Sequence, residues 1–264
     1  MLAELDIDRG PVSLEDLLVQ APALTRVDRK YLVPLGDVQL LLDRLGAEWQ
    51  WLRVGRRRTT HYRSTYIDTD DLTSARAHVQ RRRLRWKARS RLYVEDDLCR
   101  FEVKIRDGRG RTVKLLEDRP PTAYGQVTDL DRAFVARTLG SQGLEIDVDR
   151  LVSTAEVTYE RMTLARLDEP CRLTIDWGMH SCLGAGEVRL NPEYVVVETK
   201  GGLRAAEPDR LLLAMRHRPR PFSKYTATAS LLGTGVPDND VRSLVGRALH
   251  VSREAESQHE EKSA

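Results

Sequence analysis

Arg81, Arg83, Arg85, Lys87 and Arg89 alternate along RRRLRWKAR, with Leu84, Trp86 and Ala88 between them. In an extended strand residues i and i+2 share a face, so this spacing predicts five cations on one side and an apolar packing surface, Trp86 included, on the other. The habit recurs. Glu102, Lys104 and Arg106 oppose Phe101, Val103 and Ile105, and Val196, Glu198 and Lys200 oppose Val195, Val197 and Thr199. Arg172, Thr174 and Asp176 oppose Leu173 and Ile175. On one strand a charged face is ordinarily a solvated face. On several strands, with like charges side by side, it calls for an anion among them. Glu102 and Glu198 each precede a lysine by two residues, on the same face. Such a pairing suits phosphate chemistry, in which a carboxylate holds a divalent cation while Lys and Arg share the phosphate oxygens.

The charge distribution agrees. The chain has 264 residues and a net charge of only +3, yet Arg53 to Arg119 carries 20 Lys and Arg against 10 Asp and Glu. A basic middle in a nearly neutral chain points to a localised anionic partner. Aromatic content of 6% is low for a surface that stacks bases, so no nucleic-acid partner is expected. The six histidines, His61, His78, His180, His217, His250 and His259, show no metal-ligand spacing. No Walker-type GxxxxGKS occurs. Asp68, Asp70 and Asp71 only faintly resemble a calcium loop.

The elements that must position these residues are mostly strands: 26–33, 61–68, 81–93, 99–106, 111–116, 152–167, 171–177 and 194–200. Helices are expected over 37–45, 127–139, 208–216 and 224–232, with a loop or short helix at 70–76. Residues 1–24 read as an arm with a short helix near 13–20, which Ser13 could cap. The polar end of the chain reads as a partly disordered tail over 236–264. The fold class is therefore α+β, built round a closed or strongly curved antiparallel sheet. Three cysteines without paired spacing suggest reduced thiols in an intracellular setting. With no signal peptide and no apolar run of membrane length, the protein is expected in the cytoplasm, at the inner face of a membrane only through a partner.

The segments DRKYLV, STYIDTDDL, RRRLRWKAR, FEVKIRDGRGRTVKL, VTYERMTLARL, RLTIDWG, VVVETKGG and FSKYTATASLL occur in an order that resembles the VTC domain. That domain is the polyphosphate polymerase module of the vacuolar transporter chaperone complex, with bacterial relatives, within the triphosphate tunnel metalloenzymes. The resemblance implies a tunnel domain over 25–235, an antiparallel eight-stranded β-barrel with flanking helices. It implies transfer of the γ-phosphate of ATP to a growing polyphosphate chain, with Mn2+ or Mg2+. Triphosphate or polyphosphate hydrolysis on the same fold, or non-catalytic polyphosphate sensing, are the alternatives. By resemblance, Lys30 touches the transferred phosphate, and Arg83 and Arg85 pair on the triphosphate. Lys104, Lys114, Arg161, Arg172 and Lys200 add phosphate contacts. Glu198 holds the metal, and Lys224 stands on the helix closing one end. Hydrolytic relatives open with Glu-x-Glu-x-Lys, whereas this chain reads Arg26, Asp28, Lys30, which favours the polymerase branch. Arg81, Arg82, Arg89 and Arg91 are taken as solvated.

Overall fold

A computed structural model describes residues 9–19, 27–108, 111–169 and 171–253. In chain order the elements are β1 (Pro11–Ser13), α1 (Leu14–Val19), β2 (Val27–Pro34), α2 (Leu35–Arg44), β3 (Gln50–Arg53), β4 (Thr59–Thr69), α3 (Thr73–Val79), β5 (Arg85–Tyr93) and β6 (Leu98–Arg106). Then follow β7 (Thr112–Arg119), α4 (Asp129–Gly140), β8 (Leu151–Arg166), β9 (Cys171–Leu183), β10 (Gly186–Leu190), β11 (Tyr194–Gly201), α5 (Glu207–Ala214), α6 (Lys224–Leu232) and β12 (Leu249–Arg253).

Eight of these strands form one antiparallel succession, β2–β11–β9–β8–β4–β5–β6–β7. The sheet curls until β2 faces β6, the strand next to the far edge: Lys104 of β6 donates to Asp28 of β2 at 3.2 Å. The outer half of β9 carries β10 and β12, and the end of β8 carries β3, which pairs in parallel with β1. This is the α+β, strongly curved antiparallel sheet that the strand pattern predicts, and the tunnel fold that the resemblance to the VTC domain implies.

The sheet is built inside out. Its apolar faces point outward and are covered by helices, which leaves the charged faces to line the interior. α2 and α5 cover Tyr31, Val33, Leu173, Ile175, Val195 and Val197. α4 covers Trp86, Ala88, Phe101, Val103 and Ile105, so Trp86 packs on the outer face as its position predicted. Burying about ten such side chains on each side supplies the principal drive for closure, at about 1.5–3 kcal/mol each.

The helices largely follow their sequence signals. Thr128 and Asp131 form a capping box at α4, and the Ser13 hydroxyl accepts from the Asp16 amide at α1. β5 begins at Arg85, four residues later than expected. Arg81 turns out of α3 with φ +58, so Arg81 and Arg83 leave the pleat before Lys87 enters it. β3, β10 and β12 were not legible as strands. Residues 236–253 pack into the fold rather than trailing from it: Val236, Val241, Leu244 and Leu249 join the core under α6. Arg26 and residues 254–264 lie outside the described residues.

Asp68 is an anchor here. Its carboxylate accepts from the Ser74 and Ala75 amides at the start of α3 and from the Tyr225 hydroxyl of α6 at 2.6 Å. Asp70 and Asp71 pair instead with Arg150 and Arg76, so the three aspartates are hydrogen-bonding residues of the turn. Burial raises the Asp68 carboxyl against those bonds. Tyr225→Phe leaves one of its buried oxygens short of a donor, and the expected loss is about 1–3 kcal/mol in urea unfolding.

Candidate functional site: a basic tunnel

Two connected cavities run through the curled sheet. The inner one, about 200 Å³, is faced by nine cationic side chains and three carboxylates. The outer one, about 690 Å³, forms the mouth. Asp28, Lys30, Lys104 and Phe222 line both.

The inner cavity gathers most of the residues expected to bind phosphate. Lys30 enters from β2, Lys104 from β6, Lys114 from β7, Arg161 from β8, and Glu198 and Lys200 from β11. Lys224 enters from the first turn of α6, whose partial positive N-terminal charge adds to the field. Arg83 and Arg85 line the mouth instead, where Arg85 also donates to the Arg82 carbonyl at 2.7 Å. Arg172 shares the face of Asp176 but lies at the strand's start, and its guanidinium donates to the Leu17 carbonyl of α1 at 3.0 Å.

Arg89 and Arg91, expected to be solvated, face the inner cavity together with Lys87. Their positions continue the period-2 face of β5, and curling of the sheet turns that face inward. Arg89 donates to Glu102 at 2.6 Å, and Arg91 donates to Tyr159 at 2.9 Å and to Ser64 at 3.2 Å.

The carboxylates divide sharply by what holds them. Glu102 is saturated, with one oxygen taken by Arg89 and the other by Lys114 at 2.7 Å. Asp176 is also saturated. It accepts from Arg161 Nε at 2.6 Å and Nη2 at 2.8 Å, and from the Lys224 ammonium. Burial alone would raise its carboxyl, but Arg161 and Lys224 outweigh that and hold it at about 2. Arg161 and Lys224 lie over the Tyr159 ring, at 5.3 and 4.2 Å from its centroid. Asp176 was visible on the charged face of its strand, yet no spacing marked it as the anchor of two site cations.

Glu198 differs. Among the described residues no hydrogen-bond donor reaches its carboxylate, and its nearest charges, Arg161 and Lys200, stand at 3.9 Å. It is 9% exposed. Burial disfavours its charge, but Lys200, Lys30, Arg161 and Lys224 pull its carboxyl well below the usual range, so it is ionised with lone pairs to offer. One free carboxylate suits a hard divalent cation that takes its remaining ligands from phosphate oxygens and water. The residues therefore fit a metal held jointly by Glu198 and a phosphate chain.

Burial and crowding lower Lys87 and Lys114. Burial and the neighbouring cations push the Lys87 ammonium well below its ordinary range, and His78, 3.2 Å from it, falls to about 2. Burial brings Lys114 to about 8 despite Glu102. A phosphate chain binds the protonated form, so above pH 8 binding at this position requires proton uptake. Tripolyphosphate affinity should fall from pH 7 to 9 by titration calorimetry. Lys114→Arg should show a shallower fall, and comparison with the wild type cancels the ligand's own titration.

The description "VTC domain" belongs to the family model that matches residues 25–232. The chain belongs to the VTC domain family. No curated protein matches it. Among solved structures it is similar to a candidate adenylate cyclase from Bacillus halodurans, at 15% identity and TM-score 0.46, covering 76% of this chain and 96% of that one. It is also similar to a candidate adenylyl cyclase from Hippeastrum, described as having dominant triphosphatase activity. There the identity is 16% and the TM-score 0.45, with 78% of this chain and 95% of that chain covered. The VTC match spans every inner-cavity cation named above, from Lys30 to Lys224. Among the described residues of this VTC domain no helix is long and apolar enough to cross a membrane.

Proposed function

We propose that this VTC domain is a metal-dependent polyphosphate polymerase that transfers the γ-phosphate of ATP to an inorganic polyphosphate chain. The observation that carries the reading is the Glu198 carboxylate, which no donor bonds among the described residues, set among Lys30, Arg161, Lys200 and Lys224 in a cation-lined tunnel. Phosphoryl transfer asks a protein for positioning and charge stabilisation more than for covalent chemistry. The terminal oxygen of the acceptor chain attacks the γ-phosphorus of ATP. A P–O bond forms, the bond from that phosphorus to the β–γ bridging oxygen breaks, and ADP leaves with that oxygen.

Lys30, Lys200 and Lys224 surround Glu198 and stabilise the equatorial oxygens of the transferred group. Arg161 is oriented by Asp176 and presents its planar fork to the same region. Arg89, Arg91 and Lys104 hold the chain further along, and Arg83 and Arg85 receive it at the mouth. Glu198 would hold Mn2+ or Mg2+, which when bound supplies charge neutralisation at the phosphate oxygens. Few carboxylates are available for metals: Glu102 and Asp176 are consumed by ion pairs, and Asp28 of β2 lies against Lys104. That scarcity favours the polymerase over a two-metal hydrolase.

The test is incubation of the protein with ATP, Mn2+ and a short polyphosphate primer, following polyphosphate and ADP together. Polyphosphate growing in step with ADP supports the polymerase. Release of free phosphate identifies a hydrolase, and tight polyphosphate binding without turnover identifies a sensor.

A further inference from the structure

On the far side of the sheet from the tunnel, three side chains of different chemistry converge. His180 and Cys182 lie two residues apart on β9, and Glu187 lies directly opposite Cys182 on β10. One ligand atom from each falls within a common 4.8 Å span. His180 Nε2 is 3.4 Å from Glu187 Oε2 and 3.6 Å from Cys182 Sγ. A tetrahedral zinc with Zn–N about 2.05 Å, Zn–O about 2.05 Å and Zn–S about 2.3 Å requires N···O near 3.4 Å and N···S near 3.6 Å. The two separations from His180 match these values, and the third pair, Cys182 and Glu187, lies within 4.8 Å.

We propose that His180, Cys182 and Glu187 form a zinc site on the outer face of the β9–β10 hairpin, with a fourth position open to water. Two local features build it. A β-bulge at Gly178, φ +60, inserts one residue into β9 opposite β8. Before the bulge the even-numbered Thr174 and Asp176 face inward. Beyond it Met179 and Ser181 pack inward, so His180 and Cys182 turn outward. A two-residue turn with Gly184 at φ +57 then brings Glu187 back beside them. The ligands come from two strands, so no metal-binding spacing is visible in sequence.

Arg189 competes for the site by donating to Glu187 Oε2 at 2.9 Å. That pair is exposed and contributes little, and Glu187 Oε1 makes no hydrogen bond among the described residues. Between the two β9 ligands, Ser181 accepts a hydrogen bond from Thr228 of α6 at 2.7 Å, so the ion would fasten the strand against which the Lys224 helix rests.

The test uses the full chain stripped of metal and titrated with Zn2+, and with Co2+ as a spectroscopic substitute. One tightly bound equivalent is expected, with a thiolate-to-cobalt charge-transfer band. Cys182 must be its source, because Cys99 and Cys171 are buried elsewhere in the core. Cys182→Ser should abolish the band, and both it and His180→Ala should weaken zinc binding by at least about tenfold. The thiolate-to-cobalt band separates this site from the tunnel, whose inner cavity is lined by no cysteine among the described residues. Unaltered tripolyphosphate binding by Cys182→Ser verifies that the variant is folded. Absence of the thiolate band at saturating cobalt, or zinc affinity unchanged in Cys182→Ser, overturns the proposal.

Discussion

Glu198→Gln is expected to abolish metal-dependent turnover, by at least about 10²-fold, while strengthening metal-free binding of polyphosphate. The opposed signs follow from the same feature. The carboxylate is ionised and buried among four cations, with no hydrogen-bond donor on it among the described residues, so its charge attracts a metal and repels a bare phosphate chain. Glutamine keeps the shape and removes the charge. Without metal the tunnel then gains one unit of net positive charge, and affinity for tripolyphosphate rises. With Mn2+ the ion loses its protein ligand, and chain growth stops. Turnover against Mn2+ concentration and calorimetric binding without metal read the two halves separately. A variant retaining full metal-dependent turnover would remove Glu198 from the metal site. A variant whose metal-free binding fell would show that Glu198 serves instead as a structural ion-pair partner.

Asp176→Asn is expected to damage both stability and activity. The residue is 1% exposed and neutralises two cations, Arg161 and Lys224, whose side chains are themselves only 13% and 12% exposed. Removing one partner of a buried ionic cluster leaves charge uncompensated, at about 3–5 kcal/mol. Arg161 loses the bidentate contact that fixes its plane, and Lys224 loses its tether to β9. Both then repel each other and Lys200 inside the tunnel, and turnover should fall by about 10²-fold from misplacement alone.

The pH dependence carries an independent signature. The folded carboxyl lies at about 2, below its ordinary 3.8. Its stabilising contribution is therefore complete above about pH 4 and disappears as pH falls through about 2. Urea unfolding between pH 4 and pH 2 should show a smaller loss of stability in the asparagine variant than in the wild type. Equal acid limbs in the two proteins would mean that Asp176 does not bear this ion cluster. Polyphosphate should partly restore the variant's stability, because the bound anion compensates the same two cations.

These two residues show how differently the chain discloses its parts. Glu198 was legible because VETK places acid and base two residues apart on a strand, and the period of the pleat requires them to share a face. Lys224 was singled out only by the resemblance of FSKY to the VTC domain, whereas the helix that carries it, Lys224 to Leu232, runs as its apolar pattern predicted. The opposition of Trp86 to its charged neighbours, the shared faces of Lys104 with Glu102 and of Lys200 with Glu198, and the strand-rich α+β class all follow from local alternation. Such alternation is a property of the backbone and needs no knowledge of the rest of the chain.

What alternation leaves open is which face becomes the inside. A solvated face and a tunnel wall have the same period, so Arg89 and Arg91 read as surface until the curl of the sheet closed over them. Pairing of oxygens and guanidinium groups is likewise a matter of three dimensions. Glu102 and Glu198 occupy matching positions in FEVK and VETK, yet Arg89 and Lys114 saturate the first and, among the described residues, no donor bonds the second. The bulge at Gly178 decided that His180 and Cys182 face away from Asp176, although all three are even-numbered on one strand. The sequence by itself determined the charged and apolar faces, because side-chain direction repeats every two residues. Only the tertiary structure decided which carboxylate stays free, because that depends on donors brought from strands distant in the chain.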